Sequence, residues 1–238
     1  MKVSVVVPAY NEERLLAGSL AATRAAMSVF PHAELIVCDN NSTDRTAEIA
    51  RAAGASVVFE PVNQIARARN RGAAAASGEW LVFVDADSYP SRELFADTLA
   101  AMQTRTCLAG GATVACPAPL DALGRFWLGF WNSLSRRARW AAGSFIFCET
   151  RAFRELGGFS LEFFAGEEIE LFGRLKRRAR AEGRYIVILD RHPLMTSDRK
   201  LRLYTKREQV WFMLKTLLLA GRPLRDRNAC YTWYDGRR

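Results

Sequence analysis

Along the first hundred residues, short apolar runs alternate with longer stretches of helical spacing. "KVSVVVPAY" (2–10) is a β-branched run closed by Pro8, and residues 12–29 then repeat apolar positions at helical intervals. "AELIVCDN" (33–40) reads as a second buried strand. A helix follows up to Ala53, with Asn41 or Ser42 as its cap and Gly54 as its stop. "ASVVFEP" (55–61) is a third strand, an Ala-rich helix covers 65–76, and "EWLVFVDADS" (79–88) is a fourth strand. Strands separated by helices of this length predict βαβ units and the α/β class: a mostly parallel central sheet flanked by helices, Rossmann-related in its first half. Right-handed crossovers place every strand's carboxyl end on one edge, where open sheets of this class bind ligands. The polar segments "PAYNEE", "CDNNSTD" and "DADS" all follow strands, so they converge on that rim.

The second half is less regular. "GATVAC" (111–116), "GSFIFC" (143–148) and "RYIVIL" (184–189) read as strands, 166–182 as a helix, and "RFWLGFWNSLSRRARW" (125–140) as an amphipathic helix or loop. The tail from Leu201 reads as one or two helices rich in Arg and aromatics. The expected organisation is a first half, 1–100, a second half, 101–200, sharing the same sheet, and a tail, 201–238.

Composition adds little to the fold but narrows the partners. Arg and Lys exceed Asp and Glu by 34 to 25, a net charge of +9, which favours an anionic partner. No nucleic-acid module or basic-aromatic stripe is present, so nucleic acid is not the expected partner. Five cysteines without CxxC spacing read as buried thiols in a reducing, cytoplasmic setting. "MKVSVVVPAY" is too short and Pro-interrupted for a signal peptide, and "VWFMLKTLLLA" (210–220) is about half a membrane span.

Asp85 and Asp87 flank Ala86 at a strand end, and in extended backbone they point the same way. Two carboxylates there make a hard oxygen site for Mg²⁺ or Mn²⁺, completed by phosphates and water. The competing reading is a solvated turn ahead of Pro90. On a helix, Arg67 and Arg71 share a face that meets diphosphate oxygens or simply faces water, with Arg69 between them.

"VVVPAYNEE", "VCDNNSTDRT" and "ARNRGAAAASGEWLVFVDADS", in this order and spacing, resemble the family 2 glycosyltransferases, which have the nucleotide-diphospho-sugar transferase (GT-A) fold. The likeness is close over residues 3–90 and looser to about 190. It implies a metal-dependent transfer, with inversion, of a sugar from a nucleoside diphosphate, UDP-linked in the first instance, to an acceptor hydroxyl on a saccharide or lipid-linked molecule. Pro8, Ala9, Tyr10 and Glu12 would line the nucleoside, and Asp39 would accept a hydrogen bond from the base. The family often has two acids there; this chain has Cys38-Asp39. Asp85 and Ala86 would lie against the nucleotide, Asp85 touching ribose or a metal-bound water. Asp87 would bind Mn²⁺ or Mg²⁺.

"FFAGEEIELFGRLKRR" (163–178) resembles the segment that carries the family's base, matching at Glu167, Glu168, Glu170 and Arg174. Glu168 stands where the family usually has Asp. It is the expected base, and a helix-start role is the alternative. Asn70 and Gly72 are expected to be structural. Phe159 in "GGFS" (157–160) is an acceptor platform or plain core, and His192 completes the metal shell or serves as hydrogen-bonded scaffold. A sugar-phosphate nucleotidyltransferase and a non-catalytic module of the same fold are the competing functions. The first would want a glycine-rich loop after the first strand, where no glycine occurs until Gly18. The tail is expected to dock on the sheet, with membrane contact or a dimer contact as alternatives.

Overall fold

The structure, a computed structural model, describes residues 1–117, 120–197 and 222–230. The tail helices expected from Leu201 onward lie outside the described residues, apart from a helical turn at Arg222–Arg225. In chain order the elements are β1 (Lys2–Ala9), α1 (Leu16–Met27), β2 (His32–Asp39), α2 (Thr46–Ala52), β3 (Ser56–Phe59) and α3 (Ile65–Ala75). These are followed by β4 (Trp80–Val84), β5 (Ser88–Tyr89), α4 (Arg92–Gln103), β6 (Cys107–Ala115) and α5 (Ala122–Ala138). The last are β7 (Phe145–Glu149), α6 (Thr150–Glu155), α7 (Glu167–Ala181) and β8 (Tyr185–Thr196).

One eight-stranded sheet in the order β3-β2-β1-β4-β7-β6-β8-β5 runs through both halves. β3, β2, β1 and β4 are mutually parallel, as the alternation of strands and helices predicts. β7 enters antiparallel between β4 and β6, β8 runs parallel to β6, and β5 runs antiparallel to β8. This mixed pairing brings the starts of β7 and β5 and the ends of β6 and β8 to the edge where β1, β2 and β4 end.

Strand parity divides the core between the two faces. Val3, Val5, Val7, Val82 and Val84 pack with Leu16, Leu20, Leu94 and Phe95 of α1 and α4. Val6, Leu81 and Phe83 pack on the opposite side with Phe153, Phe159, Leu171, Phe172 and Leu175. Cys38 is fully buried on that second side, and burial pushes its thiol up to about 12. Side chains buried on both faces explain why these strands read as continuous apolar runs.

Three local expectations are corrected. The fourth strand stops at Val84, and residues 85–87 form a turn in which Ser88 N–H donates to Asp85 O at 3.1 Å. α2 begins at Thr46 rather than after Asn41 or Ser42. Its first N–H is served by Asp44, whose Oδ1 accepts from Thr46 N–H at 2.9 Å. β8 does not end at Leu189: Ala112 pairs with Leu189 and Val114 with Leu194, so three extra residues bulge out before the strand resumes.

α3 lies close against the sheet because Gly72 has no side chain; a Cβ there would fall against Val6 Cγ1. Gly72→Ala is expected to destabilise the chain by roughly 1–3 kcal/mol through overpacking. A urea-unfolding midpoint unchanged by that substitution would contradict this packing.

Candidate active site

The shared edge carries a cavity of about 400 Å³. Its chemistry-bearing walls are Arg69, Asp85, Asp87, Glu167 and Glu168, with Ser144, Thr196 and Ser197 beside them. They arrive from five separate places: α3, the turn after β4, the start of α7, the loop before β7, and the end of β8.

Arg69 is the hub. Only 2% exposed, it donates from Nη2 to Asp85 Oδ1 at 2.9 Å and to Gly143 O at 2.7 Å, and from Nη1 to Glu167 Oε1. Its guanidinium lies over the Phe159 ring, 5.3 Å from the centroid. Phe159 is itself buried, edge-on to Phe83 at 5.1 Å, so it is core beneath the hub. Burial alone would lower the Arg69 pKa. The charges of Asp85, Glu167 and Glu168 overcome that and raise it, so the guanidinium stays charged.

The Asp85–Asp87 turn is held from both sides. Asp85 N–H donates to Ser144 O at 3.1 Å, and Ser197 clasps Asp87 twice. Ser197 N–H donates to Asp87 O at 3.0 Å and its hydroxyl to Oδ2 at 2.6 Å. The turn, and not strand alternation, therefore turns both aspartates into the cavity.

Glu167 and Glu168 open α7 behind Gly166, whose left-handed φ of +76° suits glycine. The preceding loop is fixed by Leu224 O, which accepts from Phe164 N–H at 2.7 Å. The Gly157-Gly158 loop is fixed as well. Asn70 Nδ2 donates to Phe159 O at 2.8 Å, its Oδ1 accepts from Phe159 N–H at 2.9 Å, and Arg174 Nη2 donates to Gly158 O at 2.7 Å. Asn70 and Arg174 are thus structural ties, as is Glu170, which pairs with Arg174.

Among the cavity-lining residues described, four carboxylates face one guanidinium. Enclosure by the cavity walls, and then the neighbouring Glu167, push the Glu168 carboxyl up to about 8 against the pull of Arg69. The donor set suits a divalent cation: hard oxygens from Asp85 and Asp87 on one turn, in a cavity with surplus negative charge. No described cluster of three or more His, Cys, Asp or Glu could hold a metal by itself, so the two aspartates would need oxygens from a ligand or water.

The other expected residues sit on the same rim or apart from it. Pro8 and Ala9 end β1, and Tyr10 and Glu12 follow it; Glu12 is buried, with its N–H donating to Thr46 Oγ1 at 2.7 Å. Asp39 ends β2, and its Oδ1 accepts from Ser42 N–H at 3.0 Å. Ala86 is buried in the aspartate turn. Arg67 is half-buried and donates from Nε to Gln64 Oε1 at 3.1 Å, while Arg71 is exposed, so neither lines the cavity. Among the described residues, the arginine that does is Arg69. A signal for it exists in the sequence, because positions 66, 69, 72 and 73 share a helix face of small residues and that face packs inward. His192 is not brought to the aspartates. It sits in the β8 bulge with Nδ1 2.8 Å from Asp97 Oδ2 on α4, which is the scaffold arrangement.

Two predictions follow from this charge balance. Arg69→Met should cost roughly 3–5 kcal/mol because it strands the buried Glu167 and the half-buried Asp85, and Glu167→Met added to it should restore part of the loss. Additive losses in denaturant unfolding would contradict the pairing. The raised Glu168 pKa stabilises the folded chain below about 4.5, and that contribution is lost as pH rises through about 8. Glu168→Gln should therefore gain in Tm relative to the wild type as pH rises across that window. A pH-independent difference would count against it.

Comparison with known proteins gives a consistent picture. The family model described as Glycosyl transferase family 2 matches residues 4–155. An uncharacterised glycosyltransferase of Mycobacterium tuberculosis is 41% identical over 85 residues, a stretch covering 36% of this chain and 36% of that protein. The match thus spans about a third of the relative's length. Among solved structures, TarS of Staphylococcus aureus in complex with UDP-GlcNAc superposes with a TM-score of 0.65 at 20% identity, covering 98% of this chain and 69% of that one. The mannosyltransferase PcManGT of Pyrobaculum calidifontis, in complex with GDP-Man and Mn²⁺, gives 0.68 at 20% identity, covering 90% and 60%. At these identities the superpositions establish a common fold.

Proposed function

We propose that this chain, which belongs to glycosyl transferase family 2, moves a sugar from a nucleoside diphosphate to an acceptor hydroxyl, with inversion and with Mn²⁺ or Mg²⁺ bound. The observation that carries the reading is the cavity at the carboxyl edge of the sheet, where Asp85, Asp87 and Glu168 meet around Arg69. A diphosphate is itself anionic and would be repelled by Asp85 and Asp87 without a cation between them. Asp87 is the proposed cation ligand, and Asp85, oriented by Arg69, is proposed to contact ribose or a cation-bound water. When bound, the cation offsets charge developing on the departing nucleoside diphosphate.

Glu168 is the proposed general base. Its raised pKa makes it a stronger proton acceptor, and its place in the cavity wall lets it take the acceptor hydroxyl's proton as that oxygen attacks the anomeric carbon. Arg69 is a positioning residue that joins the donor-side turn to the Glu167-Glu168 segment. Asp39 is proposed to accept from the base N3–H of uracil, with Pro8, Ala9, Tyr10 and Glu12 around the nucleoside and Ala86 against the nucleotide. UDP is the first choice of carrier. A neighbour of the same fold binds UDP-GlcNAc and another GDP-Man with Mn²⁺, which supports a nucleotide-sugar donor and leaves the base to experiment. Arg67, tied to Gln64, is left with a lesser role, beside the diphosphate. The free cysteines, four of the five buried, support a reducing, cytoplasmic setting.

Calorimetric titration with UDP and GDP, with and without Mn²⁺, tests the nucleotide half. UDP should bind in the presence of Mn²⁺, and Asp87→Asn should weaken that binding roughly 100-fold. Glu168→Gln should bind UDP as the wild type does yet lose roughly 100-fold or more in turnover. If neither diphosphate binds with Mn²⁺ present, the reading fails; preferential binding of GDP would overturn the assignment of Asp39 to uracil.

A further inference from the structure

α5 buries only Ser135 along its length, yet it carries four of the eight large apolar side chains exposed among the described residues. Leu123, Phe126, Trp127 and Phe130 recur at helical spacing and are 47%, 62%, 39% and 52% exposed. Their rings touch one another rather than the core: Phe126 meets Trp127 at 5.6 Å and Trp127 meets Phe130 at 5.8 Å between centroids. An aromatic patch of this kind on a helix is unusual unless something covers it.

The charge around the patch says what kind of surface that is. Arg125, on the side of the helix turned away from the rings, and Arg136, Arg137 and Arg139, in its last turn and just after it, are all exposed, while no acidic residue occurs from 122 to 148. Arg136 already pairs with Asp190 and Arg125 donates to Leu120 O, while Arg137 lies on the ring side of the helix two turns beyond Phe130. A second copy of the chain would bring like charges together at this face, and the whole chain carries +9. Residues 198–221 carry their own surplus of basic over acidic residues, so their charge does not complement the helix either. Exposed aromatic rings on one side of a helix, with arginines on its other side and at its end, match the boundary between acyl chains and anionic headgroups.

We propose that α5 is a membrane-surface helix whose Leu123–Phe130 face inserts into the headgroup boundary of an anionic bilayer. The next residue, Trp131, lines the catalytic cavity, so a bilayer seated on α5 lies beside the cavity wall. If the glycosyltransferase reading holds, the site works next to lipid, and an acceptor carried on a lipid is within its reach. The binding of α5 to lipid does not itself depend on that reading.

Sedimentation of the full chain with phosphatidylcholine vesicles, with and without phosphatidylglycerol, tests this without any turnover assay. The wild type should sediment with the anionic vesicles and more weakly with the neutral ones. Phe126→Ser combined with Phe130→Ser should lower the partition coefficient about tenfold or more, with an unchanged unfolding midpoint in the absence of lipid. No sedimentation with anionic vesicles, or equal sedimentation of the double variant, would overturn the proposal. So would light scattering that shows a dimer dissolved by the double variant, which would give the face to a second copy. A lower unfolding midpoint of the variant without lipid would assign the face to this chain's own segments and overturn it equally.

Discussion

A single buried guanidinium organises the site. Arg69 lies where α3, the turn after β4, the loop before β7 and the start of α7 meet, and it bonds to the last three. A charge this deep is tolerable only because carboxylates from two separate segments surround it. Those carboxylates are in turn held at the rim because the guanidinium anchors them. The turn that presents the aspartates and the helix that presents Glu168 are therefore fixed relative to each other by one residue that need not touch any substrate.

Among the described lining residues, the arrangement leaves the cavity with more negative charge than Arg69 can balance. Enclosure in the cavity wall, and then the neighbouring Glu167, push the Glu168 carboxyl up to about 8, and a neutral Glu168 relieves part of that surplus. On the proposed reading, a divalent cation relieves the same surplus when a nucleoside diphosphate arrives. The sheet topology makes this possible: β7, running antiparallel between β4 and β6, carries residues 143–144 to the edge where the parallel strands end. A wholly parallel sheet would have placed that segment at the far end.

How much of this was legible in the sequence depended on whether the pattern was local. The parallel half read correctly because doubly buried strands leave continuous apolar runs, and its loops fell at strand ends as expected. α4 went unread, although Ser91 follows Pro90 and accepts from Leu94 N–H as an N-cap. The aspartate turn read as extended strand because nothing in "VDADS" signals that Ser144 and Ser197 will grip it from far along the chain. Arg69 hid among its neighbours, since one arginine in a run of three looks like its fellows until the helix face that packs is identified. The Glu168 segment and the Gly157-Gly158 loop were legible only through likeness to a family. What separates His192 from the aspartates is a bulge in β8, a feature set by pairing and not by the residues around it.

The central claim is that the cavity's surplus negative charge is met by a divalent cation that also touches the nucleotide. Electron paramagnetic resonance of Mn²⁺ added to the full chain measures this directly, by titrating free Mn²⁺ with and without UDP. The account predicts weak Mn²⁺ binding by the chain alone and binding at least about tenfold tighter with UDP, since the two ligands share one site and their coupling is reciprocal. Mn²⁺ affinity that UDP leaves unchanged would contradict it.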